Sequence, residues 1–291
     1  MSSRREFIRT LTIAAAGSGL VKAAIAAAPT GDHRFAARLG VQLYSLNAQL
    51  EKDVPGPLKH IREVGYTSVE TAGFYGMKPE DFKKELDKAG LKCTGMHAGD
   101  DGRFRSHLNE IIAEAKILKP LHVSCPDVDE KRRQDAEGCK RVAAEFNAWG
   151  KKLQAAGFRY SFHNEIGVFK PVGSTTAEEI FLAETDPSLV DFEFDLCYVQ
   201  QAGLEPADYI KKHGARVKQL HLKDLAKSVK VGFEEVPDSA YVPLGTGQID
   251  WPRTLAAAGE VGVKEYYVED ESPTAWDGIA KSAAFLKSVR F

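Results

Sequence analysis

"AAGFRYSFHNE", residues 155–165, holds a helix end, a stop and a strand in one short stretch. Ala155 and Ala156 close an amphipathic run, and Gly157 is the residue that lets a helix end in a left-handed turn. From Phe158 to Phe162 the chain is apolar and aromatic enough for a buried strand. That strand then finishes in His163, Asn164 and Glu165, three groups costly to bury without partners. The same grammar recurs along the chain. Strand-like runs fall at 39–46 ("LGVQLYSL"), 66–73 ("YTSVETAG"), 91–99 ("LKCTGMHAG") and 121–126 ("LHVSCP"). Beyond 158–165 come 189–199 ("LVDFEFDLCYV"), 217–225 ("VKQLHLKDL") and 265–271 ("EYYVEDE"). Amphipathic helical stretches such as "KPEDFKKELDKAG" and "RSHLNEIIAEAKIL" separate them. Strict alternation predicts a parallel sheet with right-handed crossovers. At this length the sheet is expected to close into an α/β (β/α)8 TIM barrel, one domain over residues 38–291. No GxGxxG or P-loop follows the first strand, which argues against an open doubly wound sheet. No Pro/Gly/Ser linker divides the chain. The longest irregular piece, 226–251, is expected to be a loop over the barrel mouth.

The first residues read differently. "SRREFIR" carries consecutive arginines, and an Ala/Gly-rich run with small residues suited to cleavage follows it. Residues 1–28 therefore read as a twin-arginine signal peptide, and the protein as exported, periplasmic or extracellular. Its four cations against Glu6 give a net +3, so the whole-chain −2 leaves −5 for the remainder. An acidic chain is a poor match for a polyanion, so nucleic acid is not an expected partner. No other apolar run approaches the ~18 residues that span a bilayer. The four cysteines, Cys93, Cys125, Cys139 and Cys197, contain no CxxC pair and are expected to be reduced and buried.

Active sites of such barrels lie at the C-terminal ends of the strands. There the sequence places Glu70 on the second strand, His97 on the third, and His163 and Glu165 on the fifth. Asp195 and Tyr198 end the sixth, His221, Lys223 and Asp224 the seventh, and Glu269, Asp270 and Glu271 the eighth. One charged strand end is ordinary rim solvation; six of eight form a constellation. Alternation puts His163 with Glu165, and His221 with Lys223, on a common inward face. Glu165 or His163, with Asp195, His221 and Glu269, is then a carboxylate-rich set suited to one divalent ion (Mn2+, Mg2+, Co2+ or Zn2+). Without a cation, converging carboxylates repel and are driven to protonate. Glu193 falls on the face of Asp195 but two residues earlier, so it belongs deeper and is given no chemistry. Asp270 and Glu271 read as rim charges.

Together, "FHNE", "FEFDLCYV", "QLHLKD", "GTGQIDW" and "YYVEDE" resemble, in order and spacing, the sugar phosphate isomerase/epimerase superfamily. That is the xylose isomerase-like TIM barrel of the AP endonuclease family 2 type, here its exported twin-arginine branch. The resemblance covers about residues 38–290. It implies a single divalent ion held by Glu, Asp, His and Glu from the fifth to eighth strands. The last three fall on Asp195, His221 and Glu269. The fifth strand departs from the pattern, with His163 where the epimerases place their first glutamate and Glu165 two residues later. Glu165 is taken as the expected ligand, leaving His163 as an acid/base group.

The expected chemistry is removal of the proton beside a carbonyl by a carboxylate or imidazole, with Glu165, Glu269, His163 and Lys223 as catalytic candidates. Glu70, His97, Tyr198 and Asp224 are the substrate-binding candidates. The implied activity is a metal-dependent isomerase or epimerase of a small-molecule sugar or keto-sugar, unphosphorylated because of the expected export. Loss of a β-substituent instead would make a lyase or dehydratase of a 3-keto-glycoside or inosose. A non-catalytic sugar-binding protein using the same pocket is the reading from another class. The apurinic endonucleases sharing this barrel need more histidines at the mouth than His97, His163 and His221. Self-association to a homo-oligomer is open.

Overall fold

The predicted alternation is realised in the computed structural model, which describes Phe35 and residues 39–291. The leader read in residues 1–28 lies outside the described residues. The barrel strands are β1 (Leu39–Gln42), β2 (Ser68–Thr71), β3 (Lys92–His97), β4 (His122–Cys125), β5 (Arg159–His163), β6 (Val190–Asp195), β7 (Val217–Leu222) and β8 (Glu265–Val268). They close in the order β1-β8-β7-β6-β5-β4-β3-β2, every neighbouring pair parallel.

Among the described residues, eight longer helices surround them: α1 (Pro55–Val64), α2 (Pro79–Ala89), α3 (Asp101–Leu118), α4 (Ala136–Ala155), α5 (Ala177–Glu184), α6 (Pro206–His213), α7 (Trp251–Val261) and α8 (Ala275–Ser288). Several begin with proline in the first turn, where its missing N–H goes unneeded. Gly65 and Gly90 end α1 and α2 at φ 113° and 71°, the left-handed turn that side chains with a Cβ resist. No helix among the described residues is long and apolar enough to cross a membrane.

The apolar core lies between the barrel and its helices. Tyr160 and Phe162 point outward from β5 into an aromatic cluster with Phe146, Trp149 and Phe181, with Phe146 and Phe162 ring centroids 4.9 Å apart. Their outward turn sends Ser161 and His163 inward. The inside of the barrel is polar and internally paired. Ser124 Oγ meets Ser161 Oγ at 2.7 Å, Ser161 donates to Gln219 Oε1 at 2.8 Å, and Thr94 meets the Tyr267 hydroxyl at 2.9 Å. All four cysteines are free and buried.

Several strands end earlier than expected, β1 at Gln42 where Leu43–Leu46 winds into a 3-10 turn, and two others have a clear local reason. In β6 the run "LCYV" turns helical after Asp195, whose Oδ1 accepts the Cys197 N–H at 2.8 Å and starts the short helix Leu196–Gln201. A short apolar run does not distinguish strand from helix by periodicity. After β7, Asp224–Leu225 leaves the barrel and pairs antiparallel with Tyr241–Val242, which fixes both ends of the loop between them.

Candidate active site

Side chains from the ends of β2, β3, β5, β6, β7 and β8 converge in two tiers sharing His221. In the outer tier, ligand atoms of His163, Asp195, His221 and Glu269 lie within 4.8 Å of one another. The register sets Asp195 beside His221 across β6 and β7. Asn164 clamps the ends of β5 and β6, accepting the Asp195 N–H at 3.0 Å and donating to the Asp195 carbonyl at 3.2 Å. With Oδ1 of Asp195 spent on the helix cap, Oδ2 has no hydrogen-bond partner among the described residues, and neither has His163 Nε2, 3.9 Å away. Both residues are buried.

The inner tier holds Glu70, His97, Glu193 and His221. Glu70 Oε2 accepts from Gln42 at 2.9 Å and meets His221 Nε2 at 2.6 Å. His97 Nε2 lies 3.1 Å from Glu193 Oε2 and 3.3 Å from Glu70 Oε2. Gly95 is required here, because a Cβ would strike the Glu70 carboxylate and the Tyr267 hydroxyl.

Lys223 supplies the outer tier's fixed positive charge. Its ammonium pairs with Glu271 and lies 3.5 Å from Glu269 Oε2, 3.6 Å from Asp195 Oδ2 and 3.3 Å from the Tyr198 hydroxyl. The rings of Tyr198 and Tyr241 cover it, centroids at 4.7 and 4.4 Å. Burial works against the ammonium, but Glu269, Tyr198, Asp195 and Glu271 outweigh it and keep Lys223 charged. Burial would also raise the Glu269 carboxyl, yet Lys223 and His221 hold it below its usual range. Burial, with the repulsion of His221 and His97, lowers His163 and leaves it a neutral imidazole. Burial pushes Glu165 up to about 8 and Glu271 up to about 7.

Above these tiers opens a cavity of about 910 Å³. His97, His163, Glu165, Tyr198, Glu269 and Glu271 reach its wall, as expected of site residues on strand ends. The loop after β7 adds Phe233, Val236, Asp238 and Tyr241, so it does lie over the mouth. Four expectations need correcting. Glu165 stands at the wall with a 35% exposed side chain, 3.8 Å from His163, and belongs to neither tier, so His163 occupies the fifth-strand place in the outer set. Asp224 faces no substrate. It is wholly buried and accepts N–H groups of Leu225, Gly245, Gly247 and Ile249 and the Trp251 indole at 2.8 Å, the reason "GTGQIDW" has its form. Glu70 sits beneath the cavity, holding His221. Lys223 is enclosed and is not part of the wall.

Several wall residues escaped the sequence reading. Arg133 and Lys170 lie on loops with no strand pattern to reveal them, Tyr44 falls within the first strand-like run but in the 3-10 turn past the end of β1, and Glu271 reads as a rim charge although it lines the cavity. Gln42 was missed because amides at strand ends are common; only its bond to Glu70 distinguishes it.

Comparison with known proteins agrees with this architecture. A sugar phosphate isomerase/epimerase from Parabacteroides distasonis ATCC 8503 superposes with a TM-score of 0.73 and 26% identity, covering 87% of this chain and 94% of that one. The structure of IOLI protein with a bound zinc atom superposes with a TM-score of 0.69 at 15% identity, covering 87% and 99%. The inosose dehydratase of Salmonella agona (strain SL483) is 24% identical over 223 residues, 66% of this chain and 72% of its own. The family model described as xylose isomerase-like TIM barrel matches residues 58–289. With the closed barrel and its strand-end cluster, that match shows that the chain belongs to the xylose isomerase-like TIM barrel family.

Proposed function

We propose that the protein is a divalent-metal-dependent isomerase or epimerase of an unphosphorylated sugar or keto-sugar, acting by removal of the proton beside a carbonyl. One observation carries the reading: His163 Nε2 and Asp195 Oδ2, buried and without hydrogen-bond partners among the described residues, face each other at 3.9 Å beside His221 and Glu269 at the cavity floor, with Lys223 3.6 Å from Asp195 Oδ2. Two imidazoles and two carboxylates suit Mn2+, Mg2+, Co2+ or Zn2+, and these four residues are the ones that would hold the ion. When bound, such an ion supplies Lewis-acid polarisation of a substrate carbonyl. The zinc of the structurally similar IOLI protein supports that assignment.

The chain's own groups divide the remaining work. Glu165, at the wall and outside the donor set, is placed to take the proton from the substrate carbon in its ionised form, which gains population as pH rises towards about 8. Glu271, on the far side of β6 and β7, is placed to return one. Lys223 holds Asp195, Glu269 and Glu271 together against their mutual repulsion. His97 and Tyr198 line the wall where hydroxyl groups would bind. The permanent cations of that wall are already engaged. Arg133 donates to the carbonyls of Val128 and Gly167, and Lys170 pairs with Glu130 and Glu234. That favours a substrate without phosphate, as does export through the leader read in residues 1–28.

A second outcome of the same proton removal is loss of a β-hydroxyl or glycosidic oxygen, as in a dehydratase. The inosose dehydratase relatives support it. NMR in D2O with Mn2+ and a panel of ketoses, inososes and 3-keto-glycosides distinguishes the two. Deuterium retained on a carbon beside the carbonyl of an otherwise intact sugar is the expected result. A dehydrated or cleaved product assigns the lyase reading, and absence of exchange with every substrate contradicts both.

A further inference from the structure

The two tiers differ in how their charge is balanced. Asp195 and Glu269 have Lys223, a permanent cation, at 3.6 and 3.5 Å. Glu70 and Glu193 are equally buried, yet among the described residues their only ionic partners are His97 and His221. Two fully buried carboxylates without a Lys or Arg need a compensating cation, which protonation of His97 and His221 or a bound ion can supply. One oxygen of each, Glu70 Oε1 and Glu193 Oε1, has no hydrogen-bond partner among the described residues, and Glu193 Oε1 lies 3.5 Å from His221 Nε2.

We propose that Glu70, His97, Glu193 and His221 form a second, inner cation site that takes a borderline divalent ion such as Zn2+. The donor set is two imidazoles and two carboxylates, neutral once a divalent ion is added. A tetrahedral ion with N and O ligands at about 2.0–2.1 Å has ligand–ligand edges of about 3.3 Å. His97 Nε2 lies 3.1 Å from Glu193 Oε2 and 3.3 Å from Glu70 Oε2, close to such edges; His221 Nε2 lies 3.5 Å from the other Glu193 oxygen, Oε1, and its 2.6 Å contact with Glu70 Oε2 must widen. The four ligands come from β2, β3, β6 and β7, so the ion ties both halves of the barrel. His97, which lines both the main cavity and a side cavity of about 230 Å³, marks the way in. His221 joins the tiers. Nδ1 faces Glu269 at 3.0 Å and Nε2 faces the inner carboxylates, so with both sites filled it is a bridging imidazolate whose last N–H proton passes to solvent.

The test is a metal count. Full-length protein is stripped with a chelator, reloaded with Zn2+, desalted and analysed by mass spectrometry of the metal. Two Zn2+ per wild-type chain are expected, one in Glu193→Gln, one in Asp195→Asn, and none in the double variant. His97→Gln, at the more exposed corner, should also hold one, and serves if Glu193→Gln does not fold by circular dichroism. A wild-type count of one that neither Glu193→Gln nor His97→Gln changes overturns the inner site while leaving the proposed function standing. An ion lost from Glu193→Gln, with none lost from Asp195→Asn, supports the inner site and overturns the outer one.

Discussion

His163 and Asp224 show what a single side chain's environment adds to its position in sequence. Both stand at strand ends with the polarity of site residues, yet only His163 reaches the cavity; Asp224 turns away and collects five donors. A carboxylate so engaged is structural. Asp224→Asn leaves one oxygen acceptor and puts an amide against N–H groups, costing about 2–3 kcal/mol. We expect a lower melting temperature and new proteolytic cleavage between residues 226 and 250; unchanged values for both would contradict the role. Sequence alone identified most wall residues of the strand ends, because alternation fixes which side chains face inward. It did not separate His163 from Glu165, since both share a face. Their difference lies in depth, set by where β5 stops, at His163.

Among the elements, α5 carries an unusual group. Glu178, in its first turn, is wholly buried, and neither carboxylate oxygen has a hydrogen-bond partner among the described residues. Burial, with Glu179 beside it, raises its pKa well above the ordinary value, and the attraction of Arg216 does not offset this. The folded chain thus holds a proton that the unfolded chain releases above about pH 4.3. The stability from the protonated form is full below that pH and is lost as pH rises towards the folded pKa, by up to about 1.4 kcal/mol per unit. Replacement by a neutral amide removes this dependence. Glu178→Gln should therefore melt higher relative to wild type at pH 8 than at pH 5, and a gap independent of pH would refute the assignment. The order of the barrel strands was legible, because apolar runs mark them and glycine ends several helices, as at Gly65, Gly90 and Gly262, although α3 ends at Lys119 and α5 at Thr185 without one. Where it failed, as in "LCYV", the cause was a capping bond from Asp195 that periodicity does not encode.

At the level of the molecule, the barrel brings together groups distant in sequence and arranges them by depth. Small polar side chains fill the base, two carboxylates and two imidazoles lie above them, and the outer donor set opens to solvent through the cavity. This layering follows from strand register, with Glu193 opposite His163 and Asp195 opposite His221. On the proposed function, neighbours at one strand end do different work: His163 holds an ion, and Glu165, just past the end of β5, takes the substrate proton. Calorimetric titration of Mn2+ into His163→Ala and Glu165→Gln, with D2O exchange of a keto-sugar substrate followed in parallel, tests that division directly. The account predicts that His163→Ala loses tight binding by on the order of 100-fold or more, beyond the ~10–100-fold of an outer-shell change. Glu165→Gln should keep its affinity but lose exchange by ~10²–10⁴-fold. Tight binding retained in His163→Ala and lost in Glu165→Gln would contradict it.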